Sequence, residues 1–298
     1  MSAQPVAITG IAPICAVGIG REDFSEGVAE GRDGRRALQR VQGDFPHIPL
    51  AGECLDFAVE DYLESEKTYL DRASELLLAA CALAIEDAQL SDEDVRSDGC
   101  GLSVGTAFGC LDSLMNVTAR VQAKGVRFAS PMIFTHAFMN SPASLAAIEY
   151  GTSGPGSVFC TGDTSSAMAI QYAFDLVRHG RARVMLAGGV EALSAPLLGA
   201  LNRTDPRVPA EGCCMMALET LDSACQRGAA VLAELVEVGV AKGGGARQPE
   251  ALWGHAFGAE FALRIAAEIV HMAPGETRRV EINDESGRSA EALLRGQS

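Results

Sequence analysis

Aromatic residues are scarce in this chain of 298 residues, making up only 5%, with a single tryptophan among them. Such a small-residue-rich, aromatic-poor composition suits helices packed closely on sheets. Basic residues are also short, 24 Lys and Arg against 39 Asp and Glu, leaving a net charge of −15. That balance argues against general binding to nucleic acid or to anionic membranes. Nine cysteines are present but no CxxC pair and no regular spacing, which argues against a metal site or a disulfide framework and favours a reducing cytoplasm. No apolar run reaches the ~18 residues a membrane span needs. The start Met1-Ser2-Ala3-Gln4-Pro5 has no basic n-region and leads straight into a strand, so no signal peptide is expected. Gly105-Thr106-Ala107-Phe108-Gly109 superficially suggests a phosphate loop but lacks the Walker lysine, and no dinucleotide glycine fingerprint occurs.

What is present is length enough for a large core, 48% hydrophobic residues and 32 glycines. Strand-like runs fall at Val6–Gly10, Gly101–Gly105, Gly156–Cys160, Arg183–Gly188, Gly212–Leu218, Val231–Val238 and Arg279–Asn283. Cys213-Cys214 lies in one of these apolar runs and reads as buried strand. Between the runs, Ser74–Gln89 places Leu77, Cys81, Ala84, Ile85 and Ala88 at helical spacing. Thr164–His179 has Ala167, Ile170, Phe174 and Val177 on one face, with Gly180 as a stop and His179 at the negative end of the dipole. Ala256–His271 shows Phe261, Ile265 and Ile269 on one face. Strands alternating with helices predict a layered α/β fold.

Several segments, in order, carry a more specific signal. These are Val6-Ala7-Ile8-Thr9-Gly10-Ile11 with Gly18, Asp71-Arg72-Ala73 through Leu90, Gly101 through Thr106, and Ser130-Pro131 through Asn140. They continue with Gly154-Pro155 through Ile170, Gly180 through Ala192, Glu211-Gly212 through Glu219 with Arg227-Gly228-Ala229, and Gly254-His255-Ala256-Phe257-Gly258-Ala259. Together they resemble the β-ketoacyl synthases, over most of the chain. The resemblance implies a thiolase-like fold, helix–sheet–helix–sheet–helix, here with a shortened second half: residues 1–200 as an N-terminal half and 201–298 as an abbreviated C-terminal one.

Counted from Gly154-Pro155, the family's nucleophilic cysteine falls on Asp163. A thiolate holds an acyl group as a thioester, and a carboxylate cannot. The segment bearing the family's first catalytic histidine is missing between Gly228 and Gly254; only Ala241 through Pro249 stands there, with the flexible run Gly243–Gly245. The closing glycine-rich loop reads Asn283-Asp284-Glu285-Ser286-Gly287-Arg288. Of a Cys-His-His set, only His255 has a counterpart, so Asp163 and His255 read as degenerate positions with no catalytic residue, metal or cofactor. Asp163 reads first as the N-cap of the following helix. Cys160 reads as a buried, inert strand cysteine.

The resemblance points to a chain length factor, or ketosynthase β subunit. Such a protein pairs with an active ketosynthase and shapes the acyl tunnel for condensation of malonyl units on acyl carrier protein, in type II polyketide (polyene among them) or fatty-acid-like biosynthesis. It implies tunnel-lining roles for Phe108, Leu111, Asp112, Met115, Met132, Phe134 and Phe138, and a dimer interface at Ser157, Val158, Phe159 and Cys160. The carrier protein, itself acidic, is expected to dock mainly on the partner, unless Arg203, Arg207, Arg247, Arg278 and Arg279 form a basic patch. Two alternatives stand beside this reading: an autonomous hydrolase or decarboxylase using Asp163 and His255, and a purely structural homodimer.

Overall fold

The computed structural model describes residues 4–297 apart from 66, 202–205, 244, 246 and 247. Its main strands are β1 (Val6–Cys15), β2 (Cys100–Gly105), β3 (Gly156–Phe159), β4 (Val184–Glu191), β5 (Gly212–Thr220), β6 (Ala233–Lys242), β7 (Thr277–Asn283) and β8 (Arg288–Arg295). The main helices are α1 (Arg72–Asp87), α2 (Leu111–Lys124), α3 (Pro131–Thr135), α4 (Ser141–Tyr150), α5 (Ser165–Arg178) and α6 (Glu260–Ile269). The strands hydrogen-bond in the order β7-β8-β6-β1-β5-β4-β2-β3. β2 pairs in parallel with β3 and β4, and the other pairs in this order are antiparallel. β6 joins the two portions of this sheet: Ala233–Leu235 pair with β1, and the whole strand runs along β8.

α1 begins at Asp71, whose carboxylate accepts from Ala73 N, and buries Leu76, Leu77, Cys81 and Ala84 against the face of the sheet it shares with α4. α5 and α6 cover the opposite face and also touch the β6–β8–β7 portion, which curls over them. Along that portion Val280, Ala290, Ala292 and Val238 point into the core, while Glu237, Arg279, Glu281 and Glu291 stand outside. This alternation marks a sheet with one solvated face. The layers are thus helix–sheet–helix–sheet; among the described residues no helix covers that last face, and the shortening of the second half takes this form. No helix among the described residues is long and apolar enough to cross a membrane.

Three expectations shift. β1 runs on to Cys15 instead of ending at Gly10, because a bulge between Ile8 and Gly10 resets the register and carries the pairing past Pro13. Helix α6 starts at Glu260, not at Ala256. The amides of Ala256 and Gly258 are taken by the Glu260 and Glu191 carboxylates, leaving a 3-10 turn at Phe257–Ala259. Strand β8 was not anticipated; its alanines alternate with Glu291 and Arg295 too weakly to stand out.

The site is positioned where β2 and α5 meet. A Cβ on Gly105 would lie 2.2 Å from the backbone of Ser165, so only glycine lets the strand end pass directly beneath the first turn of α5. The chain enters that turn through Gly162 at φ +70°, which presents Asp163 at the mouth of the layer between the two sheet portions.

Candidate functional site

Asp163 does not cap α5. The N-cap is Thr164, which makes no side-chain capping bond. The Asp163 carboxylate instead accepts from Arg207 Nη1 at 3.0 Å, and its Oδ2 lies 3.1 Å from His255 Nε2. Arg207 Nη1 is 3.1 Å from the same imidazole nitrogen, and Nη2 is 3.5 Å from Glu285. A charge-assisted contact to a guanidinium outcompetes a capping bond to a neutral amide, which is why the carboxylate turns away from the helix. His255 is fixed by its own backbone, with N donating to Val208 O and O accepting from Ala210 N. Its Nδ1 stands 4.0 Å from Glu260, a carboxylate that accepts from Trp253 Nε1, Ala256 N and Arg264 Nε. A cavity of about 320 Å³ opens here, lined by Asp163, Arg207, Gln248, His255, Glu260 and Glu285 among others. The ring of Phe257 packs against two of the lining residues, 4.9 Å from His255 between centroids and 5.6 Å from the Arg207 guanidinium carbon.

Cys160 is not a buried strand cysteine. It lies one residue beyond β3 and is exposed; its thiol donates to Thr106 O at 2.9 Å. Partial burial, with the Glu191 carboxylate behind it, pushes that thiol up, so it is a poor nucleophile at neutral pH.

The seven residues implied as tunnel-lining do not surround one enclosed cavity in this chain. Phe108 and Leu111 pack against Leu193, Leu197, Leu198 and Phe257 in a separate apolar cluster. Leu111 and Asp112 line a second cavity of about 330 Å³, whose walls include Arg40, Asp71 and Arg72. Both of those arginines are tied to the buried Glu211, at 2.6 and 3.1 Å. Asp112 is exposed and accepts from Asn116. Met115, Met132, Phe134 and Phe138 are exposed on α2, α3 and the following turn, beside Leu114, Phe128 and Met139. Phe134 and Phe138 meet edge-on at 4.9 Å between centroids, and Met139 Sδ lies 3.0 Å from Cys160 Sγ, one residue past β3; β3 is the edge strand of the sheet and carries Ser157, Val158 and Phe159. Of the arginines expected as a basic patch, the three described are each ion-paired: Arg207 within the site, Arg278 with Glu268 and Glu276, and Arg279 with Glu291. Arg203 and Arg247 lie outside the described residues.

In the sequence Arg207 reads only as a surface cation, and Glu191 does not stand out. Glu191 ends β4 fully buried, and its carboxylate accepts from Ala107 N (2.7 Å), Phe108 N (3.1 Å), Gly258 N (3.2 Å) and Thr106 Oγ1 (3.3 Å). It therefore ties the loop carrying Phe108 to the loop carrying Phe257. A carboxylate inside an apolar strand was the available signal, because such a group survives burial only when fully bonded.

Burial pushes the Glu191 carboxyl up from 4.5 to about 7, against the pull of its donors. The folded state then holds this proton more tightly than the unfolded chain. The stabilisation it confers is complete below pH 4.5 and lost as pH rises through 7, about 3 kcal/mol in all. Urea unfolding across that window should show wild type losing about 3 kcal/mol more than Glu191→Gln; parallel profiles would refute the assignment.

The model of the β-ketoacyl synthase N-terminal domain matches residues 3–204. The 3-oxoacyl-[acyl-carrier-protein] synthase 2 of Synechocystis sp. is 30% identical over 254 residues, covering 78% of this chain and 61% of that protein. The protein of the same name from Staphylococcus aureus (strain N315) is 27% identical, with 78% and 62% covered. The chain thus spans about three fifths of the length of these curated relatives. Among solved structures, the ishigamide ketosynthase/chain length factor superposes with a TM-score of 0.86 at 18% identity, over 100% of both chains. A type II polyketide synthase ketosynthase in complex with its acyl carrier protein, AntDE:AntF, gives 0.82 at 20% identity, over 99% of this chain and 100% of that one. The fold is thiolase-like, and with its family domain covering residues 3–204 the chain belongs to the β-ketoacyl synthase family.

Proposed function

We propose that the protein is a non-catalytic chain length factor. It pairs in the cytoplasm with an active ketosynthase and shapes the acyl tunnel through which malonyl units on acyl carrier protein are condensed, in type II polyketide, polyene or fatty-acid-like biosynthesis. The observation that carries this reading is the Asp163–Arg207–His255 cluster at the position of the family nucleophile. A carboxylate held by a guanidinium and an imidazole neither forms nor accepts a thioester. The partner supplies the thiolate, and the carrier protein docks mainly on the partner, consistent with the net charge of −15 here. Residues 1–200 and 201–298 correspond in this reading to a full first half and an abbreviated second.

A second reading has one observation in its favour. Asp163 and His255 are 3.1 Å apart, the separation a carboxylate–imidazole pair needs to activate water in a hydrolase or decarboxylase. Against it, Arg207 stands within 3.1 Å of both groups and competes for the lone pairs such chemistry would use.

The test is reconstitution with a complete ketosynthase, carrier protein and malonyl units, with products read by mass. Side-chain volume along the tunnel sets where a growing chain stops. Alanine at Phe108, Leu111, Met132 or Phe134 is therefore expected to lengthen products, by about one two-carbon unit per large side chain removed, at ~0.8 kcal/mol per CH₂ accommodated. Asp112→Leu should shift the product distribution while leaving the complex intact, because a carboxylate facing the tunnel repels a reduced alkyl chain. Unchanged lengths across all five variants would make the chain a scaffold, not a ruler.

A further inference from the structure

Strand β7 ends the sheet opposite β3 and pairs on one side only, with β8. Asp284 N donates to Arg288 O, and Glu276 O accepts from Gly296 N, so the even-numbered residues of β7 face β8. The odd-numbered ones direct their amides out of the sheet, because alternate residues face opposite sides. Asn283 N donates to Gln248 Oε1 at 3.0 Å, which closes one end of that edge. The amides of Arg279 and Glu281 have no partner among the described residues. Their side chains stand together on the solvated outer face. Arg279 pairs with Glu291 at 2.7 Å. Glu281 sits directly opposite Glu291 in the hairpin and has no cation of its own among the described residues. Like charges directly opposite across two strands are destabilising, so this open edge carries a carboxylate that lacks a counter-charge. A hollow of about 390 Å³ borders the same edge between β7 and α6, walled by Trp253, Arg264, Ala267 and Glu268.

We propose that the β7 edge is a self-pairing surface, on which a second copy of this chain adds its own β7 antiparallel about Val280. The register follows from charge. Outward residues pair with outward residues, so the strand can be centred on Arg279, on Val280 or on Glu281. Centring on Arg279 sets that cation against itself, and centring on Glu281 sets two carboxylates together. Centring on Val280 puts Arg279 of each copy opposite Glu281 of the other, twice by two-fold symmetry. Both pairs then exchange backbone hydrogen bonds in each direction, and Glu281 gains the cation it lacks. Val280 of each copy faces the hollow beside α6 of the other. β3 lies at the far end of the sheet, so a ketosynthase bound there leaves this edge open, and two such pairs are joined through the two copies of this chain. The inference goes beyond the reading above and does not depend on it.

The full chain carrying Val158→Pro, which blunts the opposite edge at β3, is followed by sedimentation velocity over a concentration series. It should form a dimer. Arg279→Glu and Glu281→Arg, each added to it, should weaken the dimer by about tenfold or more, equivalent to ~1.4 kcal/mol, because each makes both facing pairs repulsive. Mixed in equal amounts, these two variants should recover the parent's dimerisation, since every facing pair again joins opposite charges. Glu281→Arg relieves the contact with Glu291 and so keeps the hairpin intact; it decides the matter if Arg279→Glu does not fold. Glu237→Arg, an equal charge change on β6 away from the edge, should leave the dimer unchanged. A parent chain that stays monomeric, single variants that dimerise as tightly as the parent, a mixture no tighter than its components, or an equal loss in Glu237→Arg would each overturn the proposal. No ketosynthase or turnover enters this experiment, so its failure would leave the chain-length-factor reading standing.

Discussion

Co-expressed with a complete ketosynthase, the protein should be recovered as a stable one-to-one pair, and expressed alone it should self-associate or precipitate. Strand β3 ends the sheet. The amide of Leu102 bonds to Pro155 O and that of Thr106 to Phe159 O, so the polar groups of residues 155, 157 and 159 face β2. Those of Gly156 and Val158 therefore point out of the sheet, because alternate residues of a strand direct their amides to opposite sides. An open edge of this kind templates pairing with another chain. Beside it lie Val126, Phe128, Met132, Phe134, Phe138 and Met139, between 45% and 77% exposed. Exposed large apolar side chains near an open edge mark an interaction site, and permanent interfaces typically bury on the order of 2,000 Å² or more. Val158→Pro removes the outward amide and leaves the β2 pairing intact. It should weaken the pair by about 10- to 100-fold, the equivalent of the ~1–3 kcal/mol that leaving a buried acceptor unpaired costs, while Val158→Thr should not. Light scattering and co-purification read the result. A monodisperse, stable monomer in the absence of a partner, or pairing indifferent to Val158→Pro, would refute this.

The second large effect is chemical. Challenged with cerulenin-type cysteine traps or acyl thioesters, wild type should carry no adduct at residue 163, and Asp163→Cys should be labelled there to near stoichiometry. A thiol at this position inherits the first turn of α5, the Arg207 guanidinium and the His255 imidazole, the surroundings that lower a thiol pKa and expose a thiolate. Cys160 and Cys225 are the exposed cysteines, and peptide mapping separates their background from labelling at 163. A stoichiometric acyl adduct on the wild-type carboxylate, lost in Asp163→Asn, would mean that the site still performs covalent chemistry.

The sequence made Asp163 legible because the count from Gly154-Pro155 needs no gap, and His255 because Gly254-His255-Ala256-Phe257-Gly258 stands out as a unit. Their contact was not legible, since 92 residues separate them and no periodicity reports a distance across a fold. The role of Arg207 was hidden for the same reason: an arginine in a polar loop reads as a surface charge until the fold places it beside a carboxylate. The cap expectation for Asp163 failed on this point, local propensity yielding to a tertiary ion pair. Helices α1 and α5 were visible within two residues at each end, because their apolar faces are strongly periodic. The curl of the β6–β8–β7 portion over α5 and α6 was not, because β6 pairs with two different strands along its length. The residues expected to line a tunnel were gathered by resemblance; the fold places Phe108 in a closed cluster and leaves Met132 exposed.

The central claim is that this chain contributes shape and its partner contributes chemistry. The most direct measurement combines the protein with a complete ketosynthase, carrier protein and malonyl units, and compares the pair with each chain alone and with a pair whose partner has its nucleophilic cysteine replaced by alanine. The account predicts condensation products only from the intact pair, with Asp163→Ala in this chain leaving turnover within about twofold, a difference below ~0.5 kcal/mol in barrier height. Thioester hydrolysis, decarboxylation or condensation by this chain alone, abolished by Asp163→Ala or His255→Ala, would contradict it.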